Sequence, residues 1–73
     1  MLEKRSLALS GHRTSLALEA VFWDALRGVA ADEDKSMAKV IADIDEDRSN
    51  SPIKTGLASA VRVWLFKRYA NIN

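Results

Sequence analysis

Apolar residues between Leu7 and Leu18 recur at every second position, and from Glu19 onward they recur at helical spacing. That change of period constrains the fold more than any other feature of the chain. Leu7 and Leu9, then Thr14, Leu16 and Leu18, alternate with small or polar residues, the signature of strands with one buried face. The tetrad SLAL stands at 6–9 and again at 15–18, with Ser10-Gly11-His12-Arg13 between the copies. Glycine followed by another residue suits a two-residue type II′ turn, which would set Leu7 opposite Leu16 and Leu9 opposite Thr14. An arm or first strand is expected over 4–10 and a strand over 13–18.

Beyond Glu19, the residues Phe22, Ala25, Leu26 and Val29 make one apolar face of a helix over 19–31. Asp32-Glu33-Asp34 interrupts the pattern. Ser36 is placed to cap a second helix over 36–48, whose stripe is Met37, Val40, Ile41 and Ile44. Ser51-Pro52 has the form of a sharp helix start and predicts a third helix over 52–70. Leu57, Val61, Trp64, Leu65 and Tyr69 fall on one face of it, and Lys67 and Arg68 suit the negative end of its dipole. The expected fold is mainly α with a short β-ribbon, in a single domain spanning 1–73.

A lone strand leaves its ladder groups unsatisfied, and even an isolated hairpin is marginal in water. The chain has 73 residues, no cysteine and one histidine, so neither a disulfide nor a metal cluster is at hand to reinforce it. A domain of this size buries only about 60% of its unfolded surface, and such chains commonly oligomerise. The economical solution is a homodimer in which Thr14–Leu18 pairs antiparallel with the same strand of a second copy. Arg13, Ser15 and Ala17 then point outward.

Charge is unevenly laid out along the chain. Both ends are basic. Residues 32–47 set Lys35 and Lys39 against seven carboxylates, whereas residues 48–73 carry Arg48, Lys54, Arg62, Lys67 and Arg68 and no acid. One face, and not the whole surface, can therefore meet a polyanion. No apolar run approaches the roughly 18–20 residues of a membrane span, and Met1–Gly11 lacks the apolar stretch of a signal peptide, so a cytoplasmic location without membrane contact is expected.

With these elements in place, RTSLALEAVFWDALRGVAADEDKSMAKVIADI resembles the ribbon–helix–helix DNA-binding domains of the Arc and MetJ type. More narrowly, SGHRTSLALEAVFWDALRGVA is similar to a bacterial subgroup with a long N-terminal arm and a third helix, a likeness covering about residues 4–70. The resemblance implies an intertwined homodimer whose intermolecular antiparallel strands enter the major groove of double-stranded DNA. It implies a sequence-specific transcriptional regulator, a repressor, with Arg13, Ser15 and Ala17 as the base-contacting trio. Arginine suits guanine O6 and N7, serine donates or accepts, and alanine offers a methyl contact to thymine. Phosphate contacts are implied at the start of the second helix, Lys35-Ser36-Met37, where free amides and the helix dipole favour an anion, and at Lys4 and Arg5 on the arm. The family often has glycine between its two helices, where this chain has Asp34, and Asp32, Glu33 and Asp34 crowd the phosphate seat.

A second class of function competes. The third helix, through Val61-Arg62-Val63-Trp64-Leu65-Phe66-Lys67-Arg68-Tyr69, is apolar on more than one face. That suits a dimeric interaction module, or an antitoxin-like protein that binds a partner through its C-terminal helix. If Lys4–Leu9 pairs beside 13–18, a dimer joined through its strands holds a four-stranded sheet, broader than the roughly 12 Å major groove admits. A paired segment favours the interaction module and a mobile arm favours DNA. Catalysis finds no footing: no nucleophile–base pair, glycine-rich phosphate loop or metal-ligand spacing occurs, so neither enzyme activity nor a cofactor is expected. His12 reads as a solvated turn residue, and Asp43, Asp45, Glu46 and Asp47 as a solvated helix end.

Overall fold

The computed structural model describes residues 1–71. Two strands, β1 (Leu2–Leu9) and β2 (His12–Glu19), form an antiparallel hairpin, followed by helices α1 (Ala20–Asp32), α2 (Met37–Asn50) and α3 (Leu57–Ala70). The partner that β2 needs is supplied within the chain by β1, and β2's other edge is unpaired among the described residues.

The turn differs from the expected one. Ser10 and Gly11 occupy it with φ of 51° and 83°, the two positive values of a type I′ turn, whose twist matches that of the strands. Leu9 therefore faces His12, Leu7 faces Thr14, and Glu3 faces Leu18. The expected pairing of Leu7 with Leu16 would have left Leu2 and Glu3 overhanging β2. In the observed register all eight residues of each strand are paired. The offset between the two registers is two residues, so every side chain keeps its face.

The inner face of the hairpin packs on the helices. Leu9, Leu16 and Leu18 are buried, and Leu7 is partly so. From the helices come Trp23, Leu26, Val29 and Ala30 of α1, Val40, Ile41 and Ile44 of α2, and Val61 and Leu65 of α3. The buried stripe of α1 is thus rotated from the expected one. Trp23 is 1% exposed, while Phe22 and Ala25 are only half-buried. Its indole Nε1 donates to the Glu3 carbonyl at 2.9 Å, and the Arg5 guanidinium lies 4.7 Å from the ring centroid. One side chain of α1 thereby fastens the far end of β1 to the helical layer.

The α1–α2 connection is a Schellman turn. Lys35 N–H donates to Ala30 O at 2.9 Å and Asp34 N–H to Ala31 O at 3.3 Å, around Asp34 at φ 53°. Asp34 thus adopts the left-handed conformation that glycine takes freely. Ser36 caps α2 as expected, its Oγ accepting from Lys39 N–H at 3.0 Å.

The third helix starts later than Ser51-Pro52 suggested. Ser51 instead ends α2 and its Oγ accepts from Ile53 N–H at 3.2 Å, while Arg48 holds the Thr55 carbonyl at 2.9 Å. Ile53 stays 70% exposed, so a helical turn there would have nothing to bury; Leu57 is the first residue after it to meet the core. Tyr69 is likewise not on the buried face: it is 63% exposed, with its hydroxyl donating to Ala25 O at 3.3 Å.

Two outcomes test this packing. Asp34→Gly should raise stability by about 1 kcal/mol by relieving the left-handed residue, measured as a higher melting temperature. Trp23→Phe should cost about 1–2 kcal/mol through the lost indole hydrogen bond, with faster amide exchange confined first to β1.

Candidate nucleic-acid interface

Strand alternation and the turn register together settle which residues share the outer face of the hairpin. Lys4 stands opposite Ala17, Ser6 opposite Ser15, and Ala8 opposite Arg13. Arg13 and Ser15 are exposed and Ala17 is half-buried; Lys4, Ser6 and Ala8 on β1 are exposed beside them. The face is low in relief at its centre and carries one base towards each end, about 14 Å apart along the ribbon at strand rise. Among the described residues no carboxylate pairs with either Lys4 or Arg13.

The acid that closes this face, Glu19, is neutralised. Arg62 of α3 reaches it with Nε and a terminal nitrogen at 3.0 and 2.9 Å. Glu19 titrates below the ordinary glutamate value, first because its own backbone N–H bonds the carboxylate and then because of Arg62. Sequence reasoning missed this pair, since its members lie 43 residues apart.

Other residues singled out from sequence fall elsewhere. Arg5 is on the opposite face of β1 from Lys4, stacked on Trp23 and 3.4 Å from Glu3. Strand parity carried that signal, since Arg5 alternates in phase with Leu7 and Leu9. Lys35 bridges Glu33 at 3.3 Å and Asp43 at 3.2 Å, Ser36 is occupied with its cap, and Met37 is half-buried against the core. His12 is exposed beside the turn. Within the acidic run, Asp43 also binds Lys39 at 3.0 Å and Asp45 binds Arg48 at 2.7 Å.

Hydrogen bonds from Lys35 and then Arg68, the latter at 2.6 Å, hold Glu33 below its ordinary value. Lys39 and then Lys35 do the same for Asp43. Lys35 in turn is raised, by Asp43 first and Glu33 second. Three of the seven carboxylates of the acidic middle, Glu33, Asp43 and Asp45, are thus engaged within the chain, and so is the lysine next to the α2 start.

Among known protein families, the ribbon-helix-helix domain matches residues 2–69, nearly the whole chain. The chain belongs to the ribbon-helix-helix family. Members of this family bind DNA as transcriptional regulators. No curated protein and no solved structure matches the chain. Within this ribbon-helix-helix chain, among the described residues, β2 pairs with β1 of the same chain. No helix among the described residues is long and apolar enough to cross a membrane.

Because Glu33 and Asp43 are lowered in the folded state from 4.5 and 3.8, their contribution to stability is complete above those values. It is lost as pH falls through the lower folded-state values. The melting temperature should therefore fall on acidification below about pH 4.5. A Glu33→Gln variant should show a shallower fall in the same calorimetric series.

Proposed function

We propose that the chain is a sequence-specific, dimeric transcriptional regulator, acting in the cytoplasm as a repressor, that inserts its own hairpin into the major groove of double-stranded DNA. The observation that carries this reading is the outer face of the hairpin, where Lys4 and Arg13 stand unpaired among the described residues around small side chains. Adjacent strands lie about 4.8 Å apart, so a two-stranded ribbon fits a groove about 12 Å wide. Since a paired segment favours the interaction module, the pairing of Lys4–Leu9 counts towards that module; it obstructs groove entry only where two hairpins join edge to edge, which makes a sheet about 14 Å across between its outer strands.

In this reading Arg13 is the principal base reader, bidentate to guanine, with Ser15 and Ala17 beside it. Lys4 serves the phosphates. The start of α2 is a second phosphate seat, acting through the first-turn amides of Met37 and Ala38, which have no acceptor within the helix. Lys35 adds little charge there because Glu33 and Asp43 already share it. No catalytic role is assigned to any residue.

The second reading, an interaction module that binds a partner protein, draws on the apolar residues that α3 leaves exposed, Val63, Phe66 and Tyr69. Selection from sheared genomic DNA of the source organism at about 0.15 M salt separates the two, because weak phosphate contacts alone do not enrich a motif at that ionic strength. Enrichment of a short repeated or palindromic motif supports the regulator; folded protein that enriches none supports the module.

On an enriched site, Arg13→Ala should weaken binding by about 1–3 kcal/mol and relax the base preference at one position. Lys4→Ala should weaken binding equally on all sequences and lower the salt slope by about 1. Lys35→Ala should leave the affinity nearly unchanged.

A further inference from the structure

By strand parity Glu19 stands on the outer face of the hairpin, opposite Leu2, and it is the one acid on that face. Lys4 and Arg13 supply the face with its positive charge, and an unpaired Glu19 would cancel half of it. The register places the acid beside a particular base. Lys4 pairs with Ala17, so Glu19 is its diagonal neighbour across the ribbon. Diagonal residues of an antiparallel pair lie about 7–8 Å apart, within reach of long side chains. A Glu19 carboxylate left to itself therefore has Lys4 as its nearest base on the outer face.

The third helix takes that carboxylate instead. Arg62 donates to Glu19 Oε1 from Nε at 3.0 Å and from a terminal nitrogen at 2.9 Å. Its guanidinium also lies 5.8 Å from the ring centroid of Phe22, so α1 and β2 hold it from two sides. Val61 and Leu65, both buried, fix this stretch of α3 to the core, and the guanidinium is delivered from a rigid element. Glu19 titrates below the ordinary glutamate value and stays ionised at neutral pH. An ion partner, not a proton, is what removes its charge from the ribbon.

We infer that Arg62 is a positioning residue for DNA binding, one that acts through Glu19 and withholds its carboxylate from Lys4 and from incoming phosphates. The inference rests on the DNA-binding reading above and gives α3 a part in it. Arg62 does this without touching DNA. As a stabilising contact the pair counts for little, because both side chains are partly exposed. Its effect on a polyanion is larger. A phosphate seated on Lys4 lies within about one Debye length of Glu19 at physiological salt, so the two charges feel each other. A Lys4 engaged by Glu19 would also release one counterion fewer when DNA binds.

Fluorescence anisotropy on the selected duplex and on a scrambled one, across a series of salt concentrations, tests this with wild type and four variants. These are Arg62→Gln, Arg62→Lys, Glu19→Gln and the Arg62→Gln, Glu19→Gln pair. Both positions are partly exposed, so the fold should survive, which the circular dichroism spectrum and melting temperature check. Arg62→Gln is expected to weaken binding about tenfold on both duplexes and to lower the salt slope by about 1. Arg62→Lys keeps the charge and should stay within about threefold of the wild type. Glu19→Gln should bind at least as tightly as the wild type, and the double variant should match it within about twofold. Damage to packing would not be repaired by removing the carboxylate. An Arg62→Gln protein that binds like the wild type overturns the inference, and so does a Glu19→Gln protein that binds more weakly. A double variant as weak as Arg62→Gln overturns it too, by making Arg62 a phosphate contact in its own right. A folded wild type that enriches no motif overturns the DNA-reading hairpin and this inference with it.

Discussion

The indole of Trp23 is the contact on which the rest of the structure depends. It is almost wholly buried, it hydrogen-bonds the Glu3 carbonyl, and the Arg5 guanidinium lies over its ring. An isolated hairpin has little stability of its own. Anchored through Glu3 at one end and the Ser10-Gly11 turn at the other, β1 becomes a fixed second strand. The ribbon is thereby completed inside one chain, and its outer face is set by strand parity alone.

The same anchoring divides the charges into those used by the fold and those left over. Glu33, Asp43 and Asp45 are paired with Lys35, Arg68, Lys39 and Arg48, and Glu19 with Arg62. These exposed pairs add little stability one by one. Their larger consequence is electrostatic, because Glu33, Asp43 and Asp45 of the central segment, and Glu19 at the end of the ribbon, are each held to a base of the same chain. Near neutral net charge, the chain still presents a basic ribbon.

How much of this was legible in the sequence depends on the range of each signal. Alternation over 7–18 identified both faces of the hairpin, and the misplaced turn did no harm because a two-residue offset preserves parity. Ser36 was readable as a cap because capping is local. Ser51-Pro52 carried an equally local start signal, yet Arg48 and Ser51 satisfy that segment as a turn, and Ile53 had no core to enter. Trp23 was obscured because Phe22 and Ala25 fit an apolar stripe just as well; only the position of β1 decides which side of α1 is buried. The Arg62–Glu19 pair is a product of tertiary packing and left no trace in spacing.

The central claim is that one chain's hairpin is the DNA-reading element. Backbone NMR of the protein titrated with its selected DNA tests it most directly. The account predicts the largest shift changes and new exchange protection at Lys4, Ser6, Ala8, Arg13, Ser15 and Ala17, with the inner-face residues of the hairpin nearly unmoved. Changes confined to α2 and α3, with the outer face of the hairpin undisturbed, would contradict it.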